Sequence, residues 1–496
     1  MITTVTAENF NGFLSFVFFL SVPLTAILGL VIRRLYRRAI TRAMMESSGA
    51  PEAAFEVPDA TRPNGGSVVF DISPLPRRPR YRTGLALRYL LSGLAYCLVL
   101  VVVMFVINDI AFLPVRFGVV LASFATAAIV MAAYVAGLRW YLILLFLVFW
   151  IWALTAIEPE SNTLIGILAL PALFLALLVG NPILRTTTLP LFLVAVALVV
   201  PLTVSLDILY YAMVAGVLDF LILYLPPMLS AVLYVLLALA VVLTIGIATA
   251  LFAVRLIARA TAGSSEFMMQ HDVLWLFQTI WIVGLGWGEN GPVVLLYLLA
   301  VAAYRIVLRL MRPSGDAADV NLLLRVFGQR RSQTRLARGL LLDWRADGPV
   351  MLIGAADLAT ETLDAPELAA FLNRRLARIF IGTPEDLASA CNAGEARHGD
   401  GLFPMQDFYC RDNSWRPTVL TLMSRARRVL IDMRGFDPTK KGIQFEIDAL
   451  AARVPAENIT VVVDPDGIEP VQALFAKAWA AAGRSDGTDR ITMRVA

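Results

Sequence analysis

Apolar residues fall into two regimes along this chain. From residue 84 to 311 one long apolar run follows another, while from 312 to 496 short apolar runs alternate with segments of helical spacing. A helix needs about twenty apolar residues to cross roughly 30 Å of hydrocarbon. Residues 10–32 meet that length, and further runs follow at 84–107, 117–137, 140–157, 163–180, 189–205, 228–254, 273–288 and 292–310. Residues 207–225 are apolar as well, but Asp207 and Asp219 interrupt them. Ala212, Ala215, Gly216 and Asp219 lie three or four apart, so a small-residue face would carry the acid into a bundle. A carboxylate at membrane depth makes Asp219 a candidate functional residue; its alternative is an interfacial helix whose Asp reaches water.

Charge placement orients these runs. No basic residue precedes 10–32, and Arg33, Arg34, Arg37, Arg38 and Arg42 follow it. A cleavable leader has the opposite order. The positive-inside rule puts the N-terminus outside and these arginines in the cytoplasm. Arg139, Arg185, Arg255, Arg259, Arg305, Arg309 and Arg312 then fall on the cytoplasmic side, with Arg116 an exception. Nine spans, with 207–225 not crossing, leave the C-terminal half in the cytoplasm. The net charge of +4 over 496 residues sits mostly in these clusters, which reads as topology and not as nucleic-acid binding. Two histidines and three cysteines without paired spacing argue against a metal site. The expectation is a multi-pass protein of a bacterial-type inner membrane, with the lipid bilayer as its first partner.

The resulting organisation has five parts: a first span with its basic flank (1–43), a Pro/Arg-rich linker (44–83), a polytopic region (84–312), a basic amphipathic connector (313–347) and an α/β domain (348–496). The linker holds six prolines and reads as disorder or a loose lid, with a short strand at Ser67–Phe70. The connector reads as a helix, lying on the membrane or packing as the domain's first helix. Five strands are expected in the domain: 350–353, 379–381, 428–433, 459–463 and 491–495. Helices between them imply a five-stranded parallel sheet covered on both faces. Residues 393–413 read as irregular.

Candidate chemistry concentrates at 428–450. Arg428 to Met433 suit a buried strand, Met433 to Lys441 a polar loop, and Gly442-Ile443-Gln444-Phe445-Glu446-Ile447 the start of a helix. This puts Glu446 near the carboxyl edge of the sheet, where open α/β sheets hold ligands. Asp357 and Gly354 after the first strand, with Asp432, Arg434 and Gly442, join it as candidate substrate-binding residues. Each has a plainer reading: the aspartates can cap turns, Arg434 can pair with Asp437, and Glu446 can be a solvent-facing acid favoured by the helix dipole. Phe408, Tyr409 and Trp415 suit core packing or stacking on a base. His398 lies in a Gly-rich loop with no evident role.

The Gly442–Ile447 stretch, after its strand and polar loop, resembles the Gly-x-x-Phe-Glu-Leu-Gly pattern of the nucleoside 2-deoxyribosyltransferase-like group. The element order also resembles the Toll/interleukin-1 receptor (TIR) domain. Gly442 stands where a TIR enzyme has Trp, and Asp448 where the transferases have Gly. The resemblance implies a flavodoxin-like or TIR-like fold and makes Glu446 the carboxylate that cleaves an N-glycosidic bond, with NAD or a nucleotide as substrate and no metal. It also implies self-association through the cytosolic domain. The readings carried forward are a membrane-tethered enzyme or sensor for NAD or a nucleotide, a catalytically inactive nucleotide-binding or self-associating module regulating the bundle, and a transporter with a regulatory domain.

Overall fold

A computed structural model describes residues 7–46, 67–75, 80–138, 140–157, 265–313, 320–325, 340–354, 365–393, 397–411, 413–436, 441–482 and 488–495, with isolated positions at 52–57 and 195–255. The runs at 163–180, 189–205 and 207–225, with Asp219, fall wholly or mainly outside these residues, and so does Asp357.

The N-terminal helix α1 (Ala7–Met45) does not stop where its apolar run does. Arg, Leu, Ala and Met are strong helix formers, so nothing in the basic flank breaks it. Helices α2 (Arg80–Ile107), α3 (Pro114–Ala136), α4 (Trp140–Ile157), α5 (Glu266–Asn290) and α6 (Leu298–Leu310, preceded by a 3₁₀ turn over Gly291–Tyr297) follow. Three segments among the described residues are long and apolar enough to cross a membrane: Thr83–Ile107, Pro114–Ala136 and Gly291–Leu310. Helices α2, α3, α5 and α6 share one core with Tyr96, Leu100, Phe124, Met131, Trp275, Tyr297 and Tyr304 buried in it. α2 and α3 approach closely at Gly93, where an added Cβ would lie 2.8 Å from that of Ala128.

The C-terminal half is built on one sheet of eight strands, all parallel, in the order β1-β8-β7-β6-β2-β3-β5-β4. The strands are β1 (Ser67–Pro74), β2 (Val320–Arg325), β3 (Val350–Gly354), β4 (Phe380–Ile381), β5 (Met405–Cys410), β6 (Ala426–Asp432), β7 (Ile459–Val463) and β8 (Thr488–Val495). Between and after β2–β8 lie α7 (Leu340–Asp347), α8 (Ala365–Leu372), α9 (Pro384–Ala393), α10 (Trp415–Arg425), α11 (Lys441–Arg453) and α12 (Ile468–Ala482).

Eight strands replace the expected five, and each addition has a physical reason. β2 was expected to be helical because Leu322, Leu323 and Leu324 favour helix on local propensity. In the sheet they are buried on alternate faces between β3 and β6, and this burial outweighs propensity. β5 was read as irregular because Gln406 and Asp407 interrupt it; its carboxyl half, Phe408–Cys410, is buried between β3 and β4. β1 extends the short strand expected in the linker to eight residues, in register with all of β8. The linker therefore completes the sheet instead of hanging loose, and Phe55 from it is buried in the same core.

Side chains alternate between two cores. Leu322, Leu324, Met351, Ile353, Phe408, Val429, Ile431, Val461 and Val463 face α9–α12, through Leu387, Val419, Leu422, Ile447, Leu450, Phe475 and Trp479. Leu323, Val350, Leu352, Leu430 and Val462 face α7, through Leu341 and Trp344. Burial on both faces is why the strands read as continuous apolar runs.

The N-terminal segment holds both ends of this sheet. Past its apolar run, α1 buries Ile32, Tyr36 and Ile40 against Phe380, Tyr409 and α8 at the β4–β5 end. The chain then returns as β1 at the other end. Seven inter-strand spacings separate the two, a distance of about 34 Å.

Candidate carboxyl-edge site

Strand β2 has β3 on one side and β6 on the other. After β2 the chain adds β3, then the edge strand β4, then β5 between these two, and returns to the other side of β2 for β6, β7 and β8. The strand that follows β2 thus lies on one side of the β2–β6 pair and the strand that follows β6 on the other. A crevice outside such a switch point is where open parallel sheets take ligands.

Asp432 ends β6, opposite Arg325, the last residue of β2. Arg434 turns back over it: Nε donates to Asp432 Oδ1 at 2.8 Å and Nη2 to Oδ2 at 2.6 Å. The Arg434 main-chain N–H also donates to Oδ1, at 3.2 Å. Both side chains are almost fully buried. The two candidates are thus brought together as a bidentate ion pair. Their charges serve each other. The loop around them is fixed as well. Met433 N–H donates to Val462 O, Phe436 N–H to Met433 O, and Gly435 N–H to an Asp464 carboxylate oxygen at 2.8 Å. Gly435 sits at φ 64°, a left-handed conformation that suits glycine.

Glu446 lies in the second turn of α11 and is 3% exposed, which excludes the solvent-facing acid. It shares α11 with Ile443, Ile447 and Leu450, all buried, while Asp448 is exposed and accepts a hydrogen bond from Gln444. Asp448 therefore does not crowd the sheet edge. Gly442, exposed at the start of α11, has open space where a Cβ would go. Gly354 has the opposite character: a Cβ there would meet the Tyr409 ring at 2.7 Å, so packing demands glycine.

The aromatic candidates are structural. Phe408 and Tyr409 are buried, and Trp415 packs edge-on against Phe445 with centroids 5.3 Å apart. Tyr409 Oη donates to Glu367 Oε1 at 2.6 Å. Burial, with Asp407 and Glu367 nearby, pushes its phenol well above the usual range. Burial also pushes the Cys410 thiol up to about 12.

Sequence reasoning missed the contact at the opposite, amino edge. The loop preceding β5 runs into the helical region, with Asp400 fully buried. Tyr89 Oη donates to Asp400 Oδ2 at 2.8 Å, Ser265 Oγ donates to the same oxygen, and Leu402 N–H donates to Oδ1 at 3.1 Å. Arg88 Nη1 donates to the Asp400 carbonyl at 2.7 Å. Gly401, at φ 86°, lies against Pro313, and Leu402 joins the core of the helical region. The signal was present in Gly399-Asp400-Gly401: an acid between two glycines marks a tight approach. No protein-family model, curated protein or solved structure matches this chain.

Proposed function

We propose that this protein is a membrane-tethered sensor whose α/β domain binds a nucleotide, NAD or a relative of it, at the carboxyl edge of the sheet and passes the binding state to the helical bundle. The observation that carries the reading is the switch point between β2 and β6, capped by a rigid loop and opposite the edge that docks on the helices. The bundle is read as multi-span, with the α/β domain in the cytoplasm, on the strength of the three long apolar helices and the arginine pattern. A ligand held by the β6 loop can influence α2 and α5 because the sheet and the Asp400 contact form one packed path.

A second reading, cleavage of the N-glycosidic bond, rests on Glu446. A carboxylate buried near such an edge is placed to stabilise positive charge developing at a ribose carbon. In that reaction the bond from the anomeric carbon to the base breaks and water adds to that carbon.

Both readings are tested on the full chain in nanodiscs, incubated with NAD and nucleosides, as wild type and Glu446→Gln. Ligand-dependent stabilisation without base release supports the sensor. Base release that Glu446→Gln abolishes supports the enzyme. Neither, together with concentration-dependent dimerisation, supports a self-associating module instead.

A further inference from the structure

Past residue 32, α1 presents two different faces. One is buried against the sheet end through Tyr36 and Ile40. The other exposes Leu30, Val31 and Leu35, then Arg34, Arg37, Arg38 and Arg42. Arg34, Arg38 and Arg42 recur every fourth residue and stand in one row along the helix. Arg37, Arg38 and Arg42 line an open groove of about 600 Å³ with Thr41, Met45 and Glu46. Glu46, the only acid in that groove, lies 3.6 Å from Arg411 of the α/β domain. Among the described residues, none of the four arginines is in an ion pair. Like charges one turn apart repel, and an anion with several acceptor oxygens relieves that repulsion.

We propose that this face of α1 binds the headgroups of anionic phospholipids, with their phosphates seated on Arg34, Arg37 and Arg38. The proposal rests on the membrane reading above. Depth selects the lipid over a soluble anion. At 1.5 Å per residue, Arg34 and Arg37 lie about 3 and 8 Å beyond residue 32, against a headgroup layer of about 5–7 Å on each side, and Arg38, about 9 Å out, reaches back into it because helical side chains lean toward the N-terminus. Arg42, about 15 Å out, lies above that layer. The apolar stripe of Leu30, Val31 and Leu35 leads directly into the arginine row, as the acyl chains of a bound lipid require. Because the opposite face of the same turns carries Tyr36, a lipid held here fixes the helix that clamps the β4–β5 end.

The test reconstitutes the full chain in phosphatidylcholine bilayers and measures its preference for spin-labelled phosphatidylglycerol over spin-labelled phosphatidylcholine. Wild type is expected to prefer phosphatidylglycerol, less so as salt is raised. An R34Q/R37Q/R38Q variant should fall to near parity, with an upper limit of about five-fold per arginine. R42Q alone should keep most of the preference. An unchanged preference in the triple variant overturns the proposal. So does its abolition by millimolar inorganic phosphate or NAD, which would mark a soluble occupant. Inverted orientation of the triple variant, read by protease accessibility, would mean that the arginines only set topology. Failure of the chain to enter bilayers at all would remove the membrane reading as well, and is distinguishable by flotation.

Discussion

Replacing Asp400 by Ala should weaken the joint between the helical region and the α/β domain. The carboxylate is fully buried and accepts from Tyr89 Oη, Ser265 Oγ and Leu402 N–H. Removing it leaves up to three buried donors without their acceptor, at about 1–3 kcal/mol each where water cannot replace it. Partial relaxation of Ser265, whose hydroxyl can rotate, reduces the sum. A net cost of about 3–5 kcal/mol follows. Asp400→Asn keeps one acceptor oxygen and turns an N–H₂ group toward a donor, so it should fall between wild type and Ala. For a unit of this size each kcal/mol shifts the melting temperature by about 2–4 °C, so Asp400→Ala should lower it by roughly 6 °C or more. The assay is thermal unfolding of the full chain in detergent, followed separately through a probe on the helical region and a probe on the sheet. The two transitions should coincide in wild type and separate in Asp400→Ala. A variant that melts within about 1 °C of wild type, with both probes still coincident, would refute the placement of this loop as the joint.

Other predictions concern the sheet and its edge. Arg434→Ala strands a buried Asp432 carboxylate and should cost about 3–5 kcal/mol in denaturant titration, whereas the double change Asp432→Leu with Arg434→Met should recover most of that loss. A fragment of residues 345–496 lacks the central strand β2 and the edge strand β1; it should fail to give a cooperative melt, and a cooperative one would contradict the strand order. With its thiol pushed up to about 12, Cys410 is ionised to roughly one part in ten thousand at pH 8. It should resist iodoacetamide until the domain unfolds, when its pKa returns toward the ordinary range; alkylation at the rate of an exposed thiol in the native state would count against its burial.

Legibility in the sequence followed how far each residue's role was local. β3, β6 and β7 were legible because apolar residues run unbroken when both faces are buried, and β8 because Ile491, Met493 and Val495 alternate with polar positions. β2 was not, since three leucines and the basic stretch after them suit a helix until β3 and β6 are known to flank them. β1 was half legible: Val68 and Phe70 pack inward, but Asp71 and Ser73 belong to an edge and look like linker. At the site, the position of Glu446 on a helix beyond β6 was legible from the change of period at Gly442. Its burial was not, because that depends on neighbouring helices remote in sequence. The Asp432–Arg434 pair spans two residues across a turn, and spacing alone does not say which of several acids Arg434 will meet. Asp400 was hidden for the same reason, its partners being Tyr89 and Ser265, 311 and 135 residues away.

The nucleotide proposed for the carboxyl edge beside the β6 loop is sought by titrating the full chain with NAD, nucleosides and nucleotides while following thermal stability, in wild type and in Gly442→Trp. A Cβ at this exposed position meets nothing within 4 Å, so the substitution is expected to leave the fold intact while its indole obstructs the edge. Saturable stabilisation of wild type by at least one of these ligands is expected, with its loss in Gly442→Trp at an unchanged ligand-free melting temperature. No shift with any of them up to millimolar concentration, or an equal shift in both proteins, would contradict it.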